Sequence, residues 1–148
     1  MYTFWRRTAP PPSMMAFDAT SREVCTARRE RTATPLQALA LLNDPQMIEA
    51  ARTLAELLIH EHPEDITEGL PVAFRLLTSR EPSEREQQIL RQMFEAQRAH
   101  YEGANEDATA LLDTGASPRD CELSAADHAA LTVAIAALMN FDESMTKR

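Results

Sequence analysis

Apolar positions recur with the period of an α-helix through most of the chain after residue 34. In the stretch that begins at Pro45, they fall on one face of a helix that reaches about Ile59, with Glu49, Arg52 and Glu56 on the other face. Similar patterns follow one another to residue 140. They predict six helices, over about 35–42, 45–59, 67–78, 84–101, 104–112 and 124–140.

Three of these helices carry clear start signals. Thr34-Pro35 and Asp44-Pro45 each place a capping side chain before a proline, whose missing N–H is not needed at the first helical position. The stretch from Ser83 to Glu86 is a capping box, in which each side chain binds the backbone N–H of the other residue. The sequence therefore predicts an abrupt corner between two helices at residues 43–44.

Two of the predicted helices are apolar nearly all round, which predicts burial on most sides. In the helix after Pro35, Gln37 is the polar exception, and a buried glutamine needs partners for its amide. The Ala-rich helix after Ser124 has small side chains that permit close approach, so we expect it at the centre of the bundle. His128 lies near its start, where a hydrogen-bonded or exposed histidine is more common than a catalytic one.

The first 33 residues have no sustained period. Residues 2–7 are aromatic and basic, and we expect them to form the last turns of a helix. The three prolines at 10–12 predict an extended segment. Residues 13–33 are expected to form a long ordered loop held to the surface by its apolar side chains, which are Met14, Met15 and Phe17.

Composition supports an all-α fold, because glycine is scarce at 3 residues and aromatic residues make up only 5% of the chain. We predict an irregular bundle of about six helices preceded by a long ordered Pro/Arg-rich loop. Residues 1–33 would form an aromatic, Pro- and Arg-rich segment packed on a helical domain of residues 34–148, as one structural unit.

Charge is unevenly distributed. Residues 1–33 contain six arginines and three acids, whereas the whole chain carries a formal net charge of −8. A surface that is mostly acidic repels phosphate, so we expect no nucleic-acid partner. The arginines can still bind a local carboxylate or sulfate, because guanidinium groups bind such anions in a bidentate manner.

The candidate ligand-binding residues lie in and after this arginine-rich segment. They are Arg28, Arg31, Asp18, Glu23, Gln37 and Asn43. Asp18 or Glu23 would act as acid or base, and Gln37 or Asn43 would orient a ligand. Alternatively, the arginines and glutamates of the loop form ion pairs that only fix its conformation.

The sequence gives little indication of a metal site or a cofactor. The segment His60-Glu61-His62 lacks the spacing of a helical histidine pair, so we predict no metal there and no cofactor elsewhere. Cys25 and Cys121 match no metal or redox spacing, and their pairing is left open. We expect no membrane span, since the longest apolar stretch, 129–139, is about half the roughly 20 residues that a span needs. No catalytic motif is present, and no secretory signal is visible.

The run RRERTATPLQALALLND, residues 28–44, resembles the C-terminal region of the planctomycete PSD1 family, also called domain of unknown function 1553. Similar stretches extend over nearly the whole chain; they are YTFWRRTAPPPSMMAFDATSREVCT, AFRLLTSREPSEREQQIL and ALMNFDES. One departure is Ala33, where the family often has asparagine, which weakens a polar role for that position.

The resemblance implies a larger exported or periplasmic protein, often with a cytochrome-like module, of which this chain would be the last part. The chain has no haem-attachment motif, so no haem role follows, and the family supplies no established activity. Two hypotheses remain. The chain is a helical interaction module that contacts upstream domains or another subunit, with an exposed apolar patch near Met14, Met15 and residues 2–5. Alternatively, it forms part of an enzyme or binding site for sulfated or acidic saccharides.

Overall fold

A computed structural model describes residues 10–20, 25–28, 32 and 34–145. Within these residues the chain forms α-helices and no strand, which confirms the all-α prediction. The helices are α1 (Pro12–Ala16), α2 (Pro35–Asn43), α3 (Pro45–Glu61), α4 (Gly69–Thr78), α5 (Glu84–Gly103), α6 (Asn105–Leu112), α7 (Ala125–Met139) and α8 (Asp142–Met145), with a 3₁₀ turn at Ile66–Glu68 before α4.

The chain divides into two compact units, residues 1–40 and residues 41–148. We call them the N-terminal unit and the helical unit. The predicted division between residues 33 and 34, and the packing of one segment on the other, remain predictions.

The helical unit is organised around α7. This helix packs most extensively against α3 and α5, and also against α6, α4 and α8. Its alanines Ala129, Ala130 and Ala134 are completely buried, because a methyl side chain lets neighbouring helices approach closely on several sides. The predicted central position of the Ala-rich helix is therefore confirmed.

The predicted capping signals act as expected. The Asp44 carboxylate accepts a hydrogen bond from the backbone N–H of Gln46 at 2.8 Å, with Pro45 as the first residue of α3. At the start of α5, the Ser83 N–H donates to the Glu86 carboxylate at 2.8 Å, and the Glu86 N–H donates to the Ser83 hydroxyl at 3.4 Å. These short-range hydrogen bonds satisfy backbone N–H groups that have no partner within the helix.

Two short helices were not predicted. Pro12 begins α1 instead of continuing an extended segment, and the Pro11 carbonyl accepts from the N–H groups of Met14 and Met15 at 3.0 and 3.2 Å. Proline is compatible with a first helical position, so three consecutive prolines can end in a helix. At the other end, α8 follows the last predicted helix. The expected helix at residues 2–7 lies outside the described residues.

In the part of the chain that the structure describes, no helix combines the length and the apolar character that crossing a membrane requires.

Candidate functional site

Gln37 is the centre of a hydrogen-bond network in the N-terminal unit. Its side chain is buried, and its amide nitrogen donates to the Ala16 carbonyl at 2.9 Å and to the Thr32 hydroxyl at 3.0 Å. Its amide oxygen accepts from the Thr34 N–H at 3.0 Å. The expectation that a buried glutamine needs partners from the preceding loop is met, and Gln37 joins α1, residue 32 and the start of α2.

Thr34 and Gln37 also form a second capping box. The Gln37 N–H donates to the Thr34 hydroxyl at 3.3 Å, while the Gln37 side chain accepts from the Thr34 N–H. The sequence signal, a threonine followed three residues later by a glutamine, was present but was interpreted only as a threonine cap. Gln37 thus fixes the start of α2, which lies in the N-terminal unit.

Asp18 closes the network. Its carboxylate accepts from the Thr32 N–H at 2.8 Å and from the Thr32 hydroxyl at 2.9 and 2.8 Å, and it lies 3.4 Å from the Gln37 amide nitrogen. Its backbone φ is +56°, a left-handed conformation that aspartate adopts more readily than most residues. These bonds tie the segment after α1 to residue 32 and give Asp18 a structural role.

The structure brings together two of the six candidate ligand-binding residues, Asp18 and Gln37. Arg28 is exposed, and Asn43 is the exposed last residue of α2. Arg31 and Glu23 lie outside the described residues. The ligand-binding role of Arg28 and Arg31 therefore stays a prediction.

One face of α2 is apolar and open to solvent. The side chains of Leu36 and Leu39 are 62% and 58% exposed, and Leu42, one turn further on, is exposed as well. The prediction that this helix is buried on most sides is wrong for these positions. Gln37 is the only fully buried residue of α2, because its amide bonds hold that side of the helix inward and leave the leucines on the opposite side. We call Leu36 and Leu39 the leucine face of α2.

Arg52, assigned from the sequence to the solvent face of α3, is instead buried in the helical unit. Its guanidinium group donates to the Leu112 carbonyl at the end of α6 at 3.2 Å and to the Ser117 carbonyl at 2.9 Å. A cation at a helix C-terminus stabilises the exposed carbonyls there. The helical period alone could not show this, because the partners lie 60 and 65 residues away in sequence.

The loop between α6 and α7 is held against α3 by Glu49. This carboxylate accepts from the N–H groups of Ala116 and Ser117 at 3.0 and 2.9 Å and from the Ser117 hydroxyl. These bonds, that of the Ser117 hydroxyl first, lower the pKa of Glu49. Gly115 has a φ of +112°, and a side-chain carbon at this position would lie within 3 Å of Glu49, so a residue without a side chain fits here.

His128, on α7, is buried and hydrogen-bonded, which is the more common of the situations expected for it. Its Nε2 lies 3.2 Å from the Arg52 carbonyl. Burial lowers the pKa of His128, while the hydrogen bond with Arg52 and the charge of Glu56 act in the opposite direction.

Further along the same side of α3, three side chains of metal-ligating type come together. Glu56 and His60 lie one turn apart on α3, and Asp120 reaches them from the loop before α7. One ligand atom from each residue lies within 4.8 Å of the other two. The His60 Nε2 is 3.0 Å from an Asp120 carboxylate oxygen. The prediction of no metal around His60 was based on the residues next to it in sequence. Asp120 lies 60 positions away, so the sequence did not indicate that it would join them.

The Asp120 carboxylate is held from a second side. Its Oδ1 accepts from the Glu122 N–H at 2.8 Å. This backbone bond is the main cause of the lowered pKa of Asp120, and His60 contributes in the same direction. Asp120 is therefore ionised and oriented toward α3.

A family model described as "Protein of unknown function (DUF1553)", PSD1, matches residues 1–94 of the chain. This match covers the N-terminal unit, α3, α4 and more than half of α5, and it includes the network around Gln37. No curated protein and no solved structure matches the chain. Since the family model spans more than half of the residues, the chain belongs to the PSD1 family of proteins of unknown function.

Proposed function

We propose that the chain is a helical interaction module of a larger exported protein, forms its C-terminal part, and uses the leucine face of α2 to bind another domain of that protein. The observation that supports this function is the exposure of Leu36 and Leu39 on a helix whose opposite side is held by Gln37. Met15, in the same unit, is also exposed and belongs to the apolar patch that the interaction hypothesis expects near Met14 and Met15. Phe17, which was expected to anchor the loop, is exposed as well.

The leucine face has the form that helix-in-groove recognition uses. Two leucines three residues apart lie on one side of a helix, so a single apolar groove can take both. Burying a leucine side chain that was exposed is worth about 1.5–3 kcal/mol, so two of them supply a useful part of a binding free energy. The hydrogen bonds at the start of α2 hold this turn in place and so lower the entropic cost of presenting them.

Charge indicates the chemistry of the partner surface. Residues 1–33 contain six arginines and three acids, and Arg28 is exposed. A partner with an apolar groove and carboxylates at its rim complements this combination, since complementary charges at a rim guide association. The partner that we propose is therefore an acidic-rimmed, apolar surface of a second domain.

A photo-crosslinking experiment on the product of the complete gene tests this proposal. A photoreactive phenylalanine analogue replaces Leu39, and, as a matched control, Leu76 on α4, which is 59% exposed. We expect position 39 to crosslink to peptides of the same polypeptide outside residues 1–148, and position 76 to give few such products. No crosslink outside the chain from position 39, or equal yields from both positions, contradicts the proposal. A crosslink from position 39 to a second copy of the same segment would replace the proposed domain by a homodimer.

The alternative function, binding of sulfated or acidic saccharides, gains no support from the described residues. Asp18, its candidate acid or base, accepts hydrogen bonds from Thr32, and Gln37, its candidate orienting group, is buried in the same network. This alternative remains a prediction about the arginines.

A further inference from the structure

We propose that Glu56, His60 and Asp120 form a binding site for a divalent first-row transition-metal ion, which clamps the loop between α6 and α7 onto α3. All three residues belong to the helical unit, and the site is independent of the leucine face of α2. Neither the family description nor the proposed function assigns a role to these side chains.

The backbone brings the ligands together from two elements. Glu56 and His60 are four residues apart on α3, so their side chains project from the same side of the helix. Asp120 follows α6 in the chain and is placed opposite them, with its carboxylate 3.0 Å from the His60 Nε2. An ion at this point would therefore connect a helix to a loop that is distant in sequence.

The loop that carries Asp120 is fixed by contacts outside the cluster. Glu49 binds the N–H groups of Ala116 and Ser117, and Arg52 binds the Ser117 carbonyl. Within the loop, Arg119 forms an ion pair with Asp113 at 2.9 Å. These contacts hold Asp120 near α3 before any ion binds, which reduces the ordering cost of forming the site.

The ligand distances require only side-chain adjustments. At metal–ligand distances of about 2.1 Å, two ligand atoms of a tetrahedral ion lie roughly 3.4 Å apart. One atom from each residue already lies within 4.8 Å of the others, and the His60–Asp120 separation is 3.0 Å. The His60 side chain is 57% exposed, so its rotamer can adjust and water can complete the coordination.

The donor set determines the class of ion. One imidazole nitrogen and two carboxylates suit zinc, cobalt, manganese or iron(II), whereas magnesium and calcium prefer oxygen ligands alone and copper(I) prefers sulfur. Two carboxylates balance the charge of a divalent ion. Three protein ligands leave at least one coordination position for water, as in open zinc sites.

Isothermal titration calorimetry with zinc chloride tests the site on the full chain after removal of metals with a chelator. We expect one zinc ion per chain with a micromolar dissociation constant, and at least a tenfold weaker affinity in His60→Gln and in Asp120→Asn. His62→Gln is the matched control: His62 lies at the end of the same helix and approaches Glu68 at 3.7 Å, outside the cluster. It should bind zinc as the original chain does.

Two further measurements separate this site from other zinc ligands and from damage to the fold. Cys121→Ser removes the exposed thiol next to Asp120 and should leave the affinity unchanged. Hydrogen exchange at the amides of residues 116, 117 and 119–122 should slow when zinc is added to the original chain but not to His60→Gln, while circular dichroism shows equal helix content in both. No zinc binding, an affinity that His60→Gln leaves unchanged, or one that is lost in Cys121→Ser or His62→Gln overturns the proposal.

Discussion

Helices α2 and α7 have similarly apolar sequences but opposite environments. On α7, eight residues are buried, including Leu131 and Ile135, which have no exposed surface. On α2, the only buried residue is the polar Gln37, whereas Leu36 and Leu39 are exposed. An apolar sequence therefore identifies a helix without determining which of its sides is covered.

The difference follows from what the buried residues of each helix contact. The alanines of α7 allow α3 and α5 to pack closely against it, so its larger side chains fill the spaces between helices. In the N-terminal unit, by contrast, hydrogen bonds of Gln37 and Asp18 hold the inward side together. The leucines of α2 are then available for a contact beyond the unit, which is the basis of the proposed interaction.

The largest expected effect is a difference in the free energy of unfolding between the same leucine-to-alanine substitution in α7 and in α2. Leu131→Ala on α7 should lower the free energy of unfolding by about 2–5 kcal/mol, because it removes buried methyl groups and leaves a cavity. Leu39→Ala on α2 should change it by about 0.5 kcal/mol or less, since the side chain is exposed. Urea unfolding of both variants measures the two values, and equal losses would show that α2 is as buried as α7.

A smaller, local loss of stability is expected when the Gln37 hydrogen-bond network of the N-terminal unit is broken. Gln37→Ala leaves the Ala16 carbonyl and the Thr32 hydroxyl without the amide donor, which costs about 1–3 kcal/mol. Hydrogen exchange should therefore accelerate at the amides of residues 14–19 and remain unchanged in α7. Gln46→Ala, at an exposed position of α3, is the control. Unchanged exchange in Gln37→Ala would mean that the network does not stabilise this unit.

The two capping boxes should respond differently to acid. The Arg80 guanidinium, followed by the Ser83 N–H and hydroxyl, lowers the pKa of Glu86 to about 2. A group whose pKa is lower in the folded state stabilises the fold above its unfolded pKa of about 4.3, and this contribution is lost as the pH falls toward 2. The start of α5 should loosen over that range, whereas the Thr34–Gln37 box contains no titrating group.

Amide chemical shifts recorded between about pH 6 and 1.5, a range that includes the lowered pKa of Glu86, check this difference. The signals of Ser83 and Glu86 should move with pH in the original chain and be nearly constant in Glu86→Gln. The Thr34 amide, which donates to the neutral Gln37 side chain, should move much less than the Ser83 amide does in the original chain. Equal acid sensitivity of both helix starts would contradict the assignment of the two boxes.

The smallest effect is expected for saccharides. If the arginine-rich segment contacts protein rather than glycan, heparin and polyuronate should raise the melting temperature by less than about 1 °C at physiological salt, where exposed charges are screened. A larger rise that disappears in Arg28→Ala would favour the saccharide hypothesis over the interaction module. Arg75→Ala, which removes an exposed arginine of α4, controls for general charge effects.

Short-range signals in the sequence predicted much of this fold. Asp44-Pro45 and the Ser83–Glu86 box predicted helix starts correctly, because a cap depends on residues within one turn. The Ala-rich composition of α7 indicated its central position. By contrast, Arg52 on a polar face looked exposed, and only the fold brings the carbonyls of Leu112 and Ser117 to it.

At the candidate sites, too, the sequence did not show which distant residues the fold brings together. The need of Gln37 for partners was predictable from its position in an apolar helix, but its partners Ala16 and Thr32 were not. The cluster of Glu56, His60 and Asp120 was missed because one ligand lies on a different element. Whether Leu36 and Leu39 are exposed depends on which other elements pack against α2. The hydrophobic pattern of one helix does not contain that information.

Hydroxyl-radical footprinting of the chain, alone and within the product of the complete gene, tests the central claim most directly. In the isolated chain, Leu36 and Leu39 should be oxidised about as fast as exposed Leu76, while Leu131 and Ile135 stay protected. In the complete protein, the two leucines of α2 should become protected and Leu76 should not. Protection of Leu36 and Leu39 already in the isolated chain, or their continued oxidation in the complete protein, would contradict the account.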